Sequence, residues 1–190
     1  MRAQKRKRRI EDKVRRASGQ LRTLAKQSLS WFFAQIKMSV SDFPANTFKA
    51  AKHPFIGGMF HYIYDAKHKN TLPYWDKFPL VIPVEAYRDG FLGLNLHYLP
   101  PIMRARLLDT LMDLREDSPT NGAYMRVSYQ ILKDVVKYKL FAPCIKRYLS
   151  GHIRSNLVVV DSDGWEEVAF LPTQQFTGAT HQEVWRDAKA

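Results

Sequence analysis

The feature that most constrains this sequence is a stretch near its middle in which apolar and polar residues alternate beside a tight turn. In residues 91–98, Leu92, Leu94 and Leu96 alternate with glycine, asparagine and histidine, the period-two pattern of a strand with one buried face. Residues 80–87 also contain mainly strand-forming residues. The Asp-Gly pair between the two stretches is typical of a hairpin turn, so this region predicts two antiparallel strands.

Short aromatic or β-branched stretches predict further strands at 59–65 and 157–160, with 167–171 as another candidate. Pro83 lies inside the strand predicted at 80–87. Because proline lacks the backbone N–H of a ladder, it favours a sheet edge or a bulge at that point.

Apolar residues at helical spacing predict helices at 102–115, 124–138 and 141–149, and a shorter one from 28 to about 40. Residues 175–190 are expected to form an extended or weakly helical tail anchored by Phe176 and Trp185. The predicted fold class is therefore α+β, with a small antiparallel sheet of three to five strands packed against two or three helices. A small SH3-like barrel is an alternative topology.

The positive charge of the chain is concentrated at its N-terminus. The chain has a net charge of +12, and residues 1–27 contain eleven basic residues against only Glu11 and Asp12, a net of +9. The basic residues are Arg2, Lys5, Arg6, Lys7, Arg8, Arg9, Lys13, Arg15, Arg16, Arg22 and Lys26. Apolar residues at helical spacing predict a basic helical arm over 1–27, followed by a single domain over 28–190.

Like charges this close together repel one another, so the arm indicates a polyanionic partner. Nucleic acid fits best, because a cation that neutralises a phosphate releases counterions. An acidic protein and a localisation signal remain open alternatives. An anionic membrane surface fits less well, since the arm has a thin apolar face without aromatic residues. No apolar run approaches the roughly 20 residues that span a bilayer.

Patterns that carry catalysis are scarce. Phosphate-binding glycine loops, GxSxG and HExxH are all absent from the sequence. The single cysteine, Cys144, excludes an internal disulfide and is expected in the core of a soluble protein from a reducing compartment. His61 and His97 can meet across neighbouring strands, but buried histidines satisfied by local carbonyls are commoner than ligands. We therefore predict no catalytic residue, no metal site and no cofactor.

One acidic-x-Lys pair, Asp65 and Lys67, matches part of a metal nuclease pattern, which needs a second carboxylate. Asp42 is the only nearby candidate. The favoured interpretation is a basic loop tip beside aromatic residues, which suits contact with DNA. Lys67, Lys69, Tyr74 and Trp75 are accordingly predicted DNA contacts, although these aromatic residues fit a core equally well.

Several stretches resemble a known family. Leu72-Pro-Tyr-Trp-Asp76, Leu94-Asn-Leu-His-Tyr-Leu99 and the later Phe170-Leu-Pro are similar to segments of the DNA end protector proteins of T-even-like tailed bacteriophages. The resemblance covers roughly residues 55–185. It implies a minor virion protein that binds the ends of packaged linear double-stranded DNA and shields them from host exonuclease, first in the virion and then in the host cytoplasm. It carries over no catalytic residue.

The sequence leaves two other functions open. One is a structural virion subunit of the neck or baseplate, or one that completes the head, whose basic arm binds a neighbouring protein. The other is a metal-dependent nuclease. Virion proteins near the portal are a further expected partner of an end protector, and no membrane partner is expected.

Overall fold

Eight strands and three α-helices form the part of the chain that the structure, a computed structural model, describes: residues 49–51, 53–116, 139–160 and 165–188. The strands are β1 Lys49–Ala51, β2 Met59–His61, β3 Trp75–Asp76, β4 Leu80–Tyr87, β5 Gly90–Asn95, β6 Ile145–Leu149, β7 Leu157–Val160 and β8 Phe176–Thr177. The helices are α1 Pro101–Glu116, α2 Trp165–Phe170 and α3 His181–Asp187. The fold class is α+β, as predicted. The predicted arm and the helices at 28–40 and 124–138 lie outside the described residues.

Six of the strands form one antiparallel sheet in the order β1-β7-β2-β4-β5-β6, and β3 pairs separately with β8. The predicted hairpin is confirmed as β4 and β5, which pair from Val81 opposite Asn95 to Tyr87 opposite Gly90. The register shifts between Pro83 and Glu85, which confirms a bulge in what is an interior strand. The described pairing runs linearly from β1 to β6, and none of it closes the sheet into the alternative barrel.

The two faces of the sheet bury different side chains. On one face, Leu80 and Ile82 of β4 pack with apolar residues of all three helices, and we call this cluster the helix-side core. On the other face, Val81 of the same strand joins a second cluster, the aromatic core, whose buried members are Phe60, Tyr62, Tyr64, Ala66, Val81, Phe91, Tyr148, Leu157 and Val159. Successive strand residues point to opposite faces, so this sheet is buried on both sides.

The helix predicted at 141–149 is wrong. Residues Lys139–Cys144 form 3-10 turns and residues 145–149 form β6, which pairs with β5 at the sheet edge. Pro143 lies within these 3-10 turns. The pairing also stacks Tyr148 on Phe91, with ring centroids 5.4 Å apart, so tertiary contact outweighs the apolar pattern.

The strand considered at 167–171 is also wrong, because these residues lie largely in α2. Trp165, Val168 and Ala169 are all buried and recur at helical spacing, which is the signal that favours a helix. The predicted strand at 59–65 is shorter than expected: β2 ends at His61, and Tyr64 makes an isolated bridge with Ile153. The C-terminal prediction is closer, since Phe176 lies in β8 and Trp185 in α3.

Gly90 permits the closest backbone approach in the sheet. A Cβ atom at this position would lie 1.9 Å from the carbonyl oxygen of Tyr148 and 2.9 Å from the Cα of Leu149. Since both are backbone atoms of the paired strand, a larger residue would push β6 away from β5.

Within the described residues, no helix is both long and apolar enough to cross a membrane.

Candidate nucleic-acid interface

The predicted DNA contacts fall into two groups. The eleven basic residues of the arm lie outside the described residues. Lys67 and Lys69 lie on an exposed turn, in which the amide of Lys69 donates to the carbonyl of Ala66 and that of Thr71 to the carbonyl of His68. The structure therefore places both lysines in solvent beside β2.

Asp65, at the start of this turn, contacts one cation from the turn itself and one from a distant part of the chain. Lys69 Nζ donates to both of its carboxylate oxygens, at 2.9 and 3.2 Å, and an Arg154 guanidinium nitrogen lies 4.0 Å away. His152 Nδ1 donates to the Asp65 carbonyl over 2.8 Å. The hydrogen bond from Lys69 lowers the pKa of Asp65. We call Asp65, Lys67, Lys69, His152 and Arg154 the Asp65 cluster.

The main chain holds the two parts of this cluster together. Tyr64 and Ile153 form an antiparallel bridge. On either side of it, the amide of Asp65 donates to His152 O at 3.0 Å and the amide of Arg154 donates to Ile63 O at 2.8 Å. Backbone hydrogen bonds thus hold the segment that carries Asp65 next to the segment that carries His152 and Arg154.

The nuclease hypothesis gains no metal ligands here. Among the residues that the structure describes, no group of three or more histidine, cysteine or acidic residues is placed to hold a metal ion. The carboxylate of Asp65 is instead occupied by Lys69 and Arg154. Asp42, the proposed second carboxylate, lies outside the described residues.

Tyr74 and Trp75 are both half-buried, but on different sides of β3. Tyr74 packs on the helix-side core, with its ring centroid 6.1 Å from that of Tyr98 and 6.2 Å from that of Phe176. Trp75 packs on the aromatic core, which contains Tyr64 and Ala66 on either side of Asp65. Trp75, rather than Tyr74, therefore packs on the core that buries Tyr64 and Ala66, the two neighbours of Asp65 in the chain.

Beneath this surface lies a buried polar network centred on Asp76, which the sequence did not reveal. His97 Nδ1 donates to Asp76 Oδ2 over 2.7 Å, and Asn95 Nδ2 donates to the same oxygen over 3.1 Å. The amides of Phe78 and Gln175 donate to Oδ1 at 3.0 and 3.2 Å. One carboxylate thus joins the end of β5, the residues just before β4 and the segment before β8.

His61 and His97 do meet, as considered from the sequence, with ring centroids 5.6 Å apart. The Thr173 hydroxyl lies between them, 3.1 Å from His97 Nε2 and 3.2 Å from His61 Nε2. His61 Nδ1 donates to the carbonyl of Pro79 over 3.1 Å. Since a hydroxyl carries one proton, Thr173 donates to one of these Nε2 nitrogens at a time, and that bond joins its segment to the histidine pair.

Burial sets the protonation of this network. It lowers the pKa of His61, and the neighbouring His97 lowers it further. Burial likewise lowers the pKa of His97, and the positive charge of Arg104 lowers it further. The carboxylate of Asp76 acts in the opposite direction and raises it, but burial dominates. For Asp76, burial alone would raise the pKa, but the contacts from His97 and Asn95 outweigh it and lower the pKa. The carboxylate is therefore ionised and the imidazoles resist protonation.

We expect the fold to lose stability as the pH falls below about 6.5. The unfolded chain binds protons on both histidines there, whereas the folded chain, with lowered pKa values, does not. A histidine that stays neutral down to pH 5 contributes at most about 2 kcal/mol of this loss between pH 7 and pH 5. Urea unfolding at both pH values measures it. His61→Gln should remove part of the loss of stability at low pH, whereas the control His68→Gln, at an exposed site, should retain it. Equal stability of the unmodified chain at both pH values would contradict the neutral state of the two buried histidines.

Arg104 is a second buried charge that the sequence did not single out. Its guanidinium donates to three carbonyls: Leu99 O at 2.7 Å, Ala169 O at 3.0 Å and His97 O at 3.4 Å. Its side chain is fully buried, and burial lowers its pKa to about 9. Because Ala169 lies in the last turn of α2, this cation ties α1 to α2 and to the turn after β5.

The described residues define an α+β protein in which buried polar groups, those of Asp76 and Arg104, connect separate elements. The Asp65 cluster adds a group of cations at its surface. A family model described as the phage T4 terminal DNA protecting protein matches residues 4–188. The chain belongs to this bacteriophage family. A search of curated proteins and a search of solved structures found no match to the chain.

Proposed function

We propose that this protein binds the ends of linear double-stranded DNA and shields them from exonuclease without itself turning over a substrate. The observation that carries the proposal is the family match over residues 4–188, which includes nearly all of the basic arm as well as the folded part. That family is described as the phage T4 terminal DNA protecting protein. The concentration of nine of the twelve net positive charges in residues 1–27 supports the same conclusion.

In this proposal the two parts of the chain have different roles. The eleven basic residues of the arm neutralise phosphates along the duplex next to the end. The folded part supplies bulk at the terminus, and its contacts are Lys67, Lys69 and Trp75; Tyr74 packs on the helix-side core instead. The sheet buried on both faces suits that role, because a rigid body obstructs an enzyme that must thread or grip a free end. The protein would travel with packaged DNA in the virion and act in the host cytoplasm.

An exonuclease protection assay tests the proposal. A linear duplex is incubated with a double-strand exonuclease, with and without the full chain, in the presence of excess closed circular DNA as a competitor without ends. We expect the linear duplex to survive and the circular competitor to leave this protection intact. Degradation at the same rate with and without the protein would overturn the proposal. Protection that the circular DNA abolishes would indicate general coating of DNA and would contradict end recognition.

A further inference from the structure

We infer that the Asp65 cluster is a second phosphate-binding site, through which the folded part grips the backbone of duplex DNA independently of the arm. This inference rests on the proposed function and assigns to it His152 and Arg154, which lie more than 80 residues beyond Lys67 and Lys69 in the chain.

The cluster carries an unbalanced positive charge. Lys69 and Arg154 both lie next to the single carboxylate of Asp65, and the exposed Lys67 belongs to the same turn as Lys69. Two other exposed cations each have an acidic residue of their own: Arg147 is paired with Asp89, and Arg186 lies near Glu183 in α3. A surplus of positive charge gathered around one point attracts a partner whose negative charges repeat at short intervals, which is the property of a nucleic-acid backbone.

The cations are held in place yet remain accessible. The side chains of Lys69 and Arg154 are each 50% exposed although both lie beside Asp65. Arg154 uses one guanidinium nitrogen on the carbonyl of Gly151 at 3.0 Å and directs another towards Asp65. A guanidinium has five N–H donors and an ammonium has three, so both groups keep donors for a phosphate oxygen.

The platform beneath the cluster is rigid. The bridge between Tyr64 and Ile153 and its flanking amide bonds fix the distance between the turn that carries Lys69 and the segment that carries Arg154. The Tyr64 hydroxyl accepts a hydrogen bond from the Leu149 amide at 3.2 Å, which anchors the same segment to β6. Because the cations are already oriented, binding a phosphate orders few additional side chains.

The test is the salt dependence of duplex binding, measured with the full chain by fluorescence anisotropy on a short blunt duplex. The double variant Lys69→Gln/Arg154→Gln should reduce the slope of log affinity against log salt by about two, because each phosphate contact contributes about 0.9. The matched control Arg88→Gln/Arg186→Gln removes the same charge from exposed sites elsewhere and should leave the slope close to that of the unmodified chain. Circular dichroism verifies that each variant is folded.

A slope for the cluster variant equal to that of the control would overturn the inference. If the double variant does not fold, Lys67→Gln replaces it, with an expected decrease of about one in the slope, and an unchanged slope overturns the inference equally. The outcomes also separate this inference from the proposed function. If the unmodified chain protects ends while the cluster variant keeps its slope, only the inference fails; if the unmodified chain does not bind duplex DNA, both fail.

Discussion

A chain that lacks residues 1–27 is expected to bind linear duplex DNA at least roughly a thousandfold more weakly at moderate salt, and with a much flatter salt dependence. The deletion removes eleven basic residues. If most of them neutralise a phosphate, the slope of log affinity against log salt should fall by up to about ten. The measurement is the affinity for an end-labelled duplex over a range of salt concentrations.

A charge-matched control separates the charge of the arm from its length. In this variant all 27 residues are kept but the eleven lysines and arginines become glutamine. We expect it to behave like the deletion, because counterion release depends on charge and not on chain length. If the deletion binds as tightly and with the same slope as the unmodified chain, the role of the arm in DNA binding is contradicted. If only the deletion loses affinity, the arm acts through contacts other than phosphate neutralisation.

Replacing Asp76 with alanine is expected to destabilise the fold by about 3–5 kcal/mol, because it leaves several buried donors without an acceptor. His97, Asn95 and the amides of Phe78 and Gln175 all donate to this carboxylate, which is 3% exposed. The loss would affect three separate parts of the chain at once. Urea unfolding at pH 7 measures the difference.

The matched control is Asp65→Ala, which removes a carboxylate that is 35% exposed and paired with exposed cations, and it should leave the unfolding midpoint close to that of the unmodified chain. Thr173→Val gives an intermediate test, since it removes only the hydroxyl between His61 and His97 and should cost about 1–2 kcal/mol. Equal midpoints for Asp76→Ala and Asp65→Ala would contradict the central position of Asp76 in the network.

The β4–β5 hairpin and helix α1 could be predicted because their signals are local. The alternation of Leu92 and Leu94 specifies a strand face, and the prolines at 100 and 101 specify a helix start. In contrast, the C-terminal half of the segment predicted as a helix at 141–149 became an edge strand, because its partner β5 lies some 50 residues away. A pattern within one segment contains no information about such a partner.

The candidate site divides in the same way. Lys67 and Lys69 could be identified from a polar run that forms a turn. Arg154 could not, because only the bridge between Tyr64 and Ile153 brings it to Asp65. Asp76 and Thr173 also carried no signal, since an isolated acidic residue or threonine is common in loops and becomes distinctive only when buried among donors.

The amino-acid sequence by itself determined the separation of a highly charged N-terminal stretch from a remainder rich in apolar residues, and it determined the mixed α and β class. Charge and short-range periodicity are properties of neighbouring residues, so they can be taken directly from the order of the chain. Tertiary structure alone decided which distant side chains share a carboxylate, at Asp65 on the surface and at Asp76 in the interior. Those contacts depend on strand pairing and burial, which arise only when segments far apart in the chain are packed together.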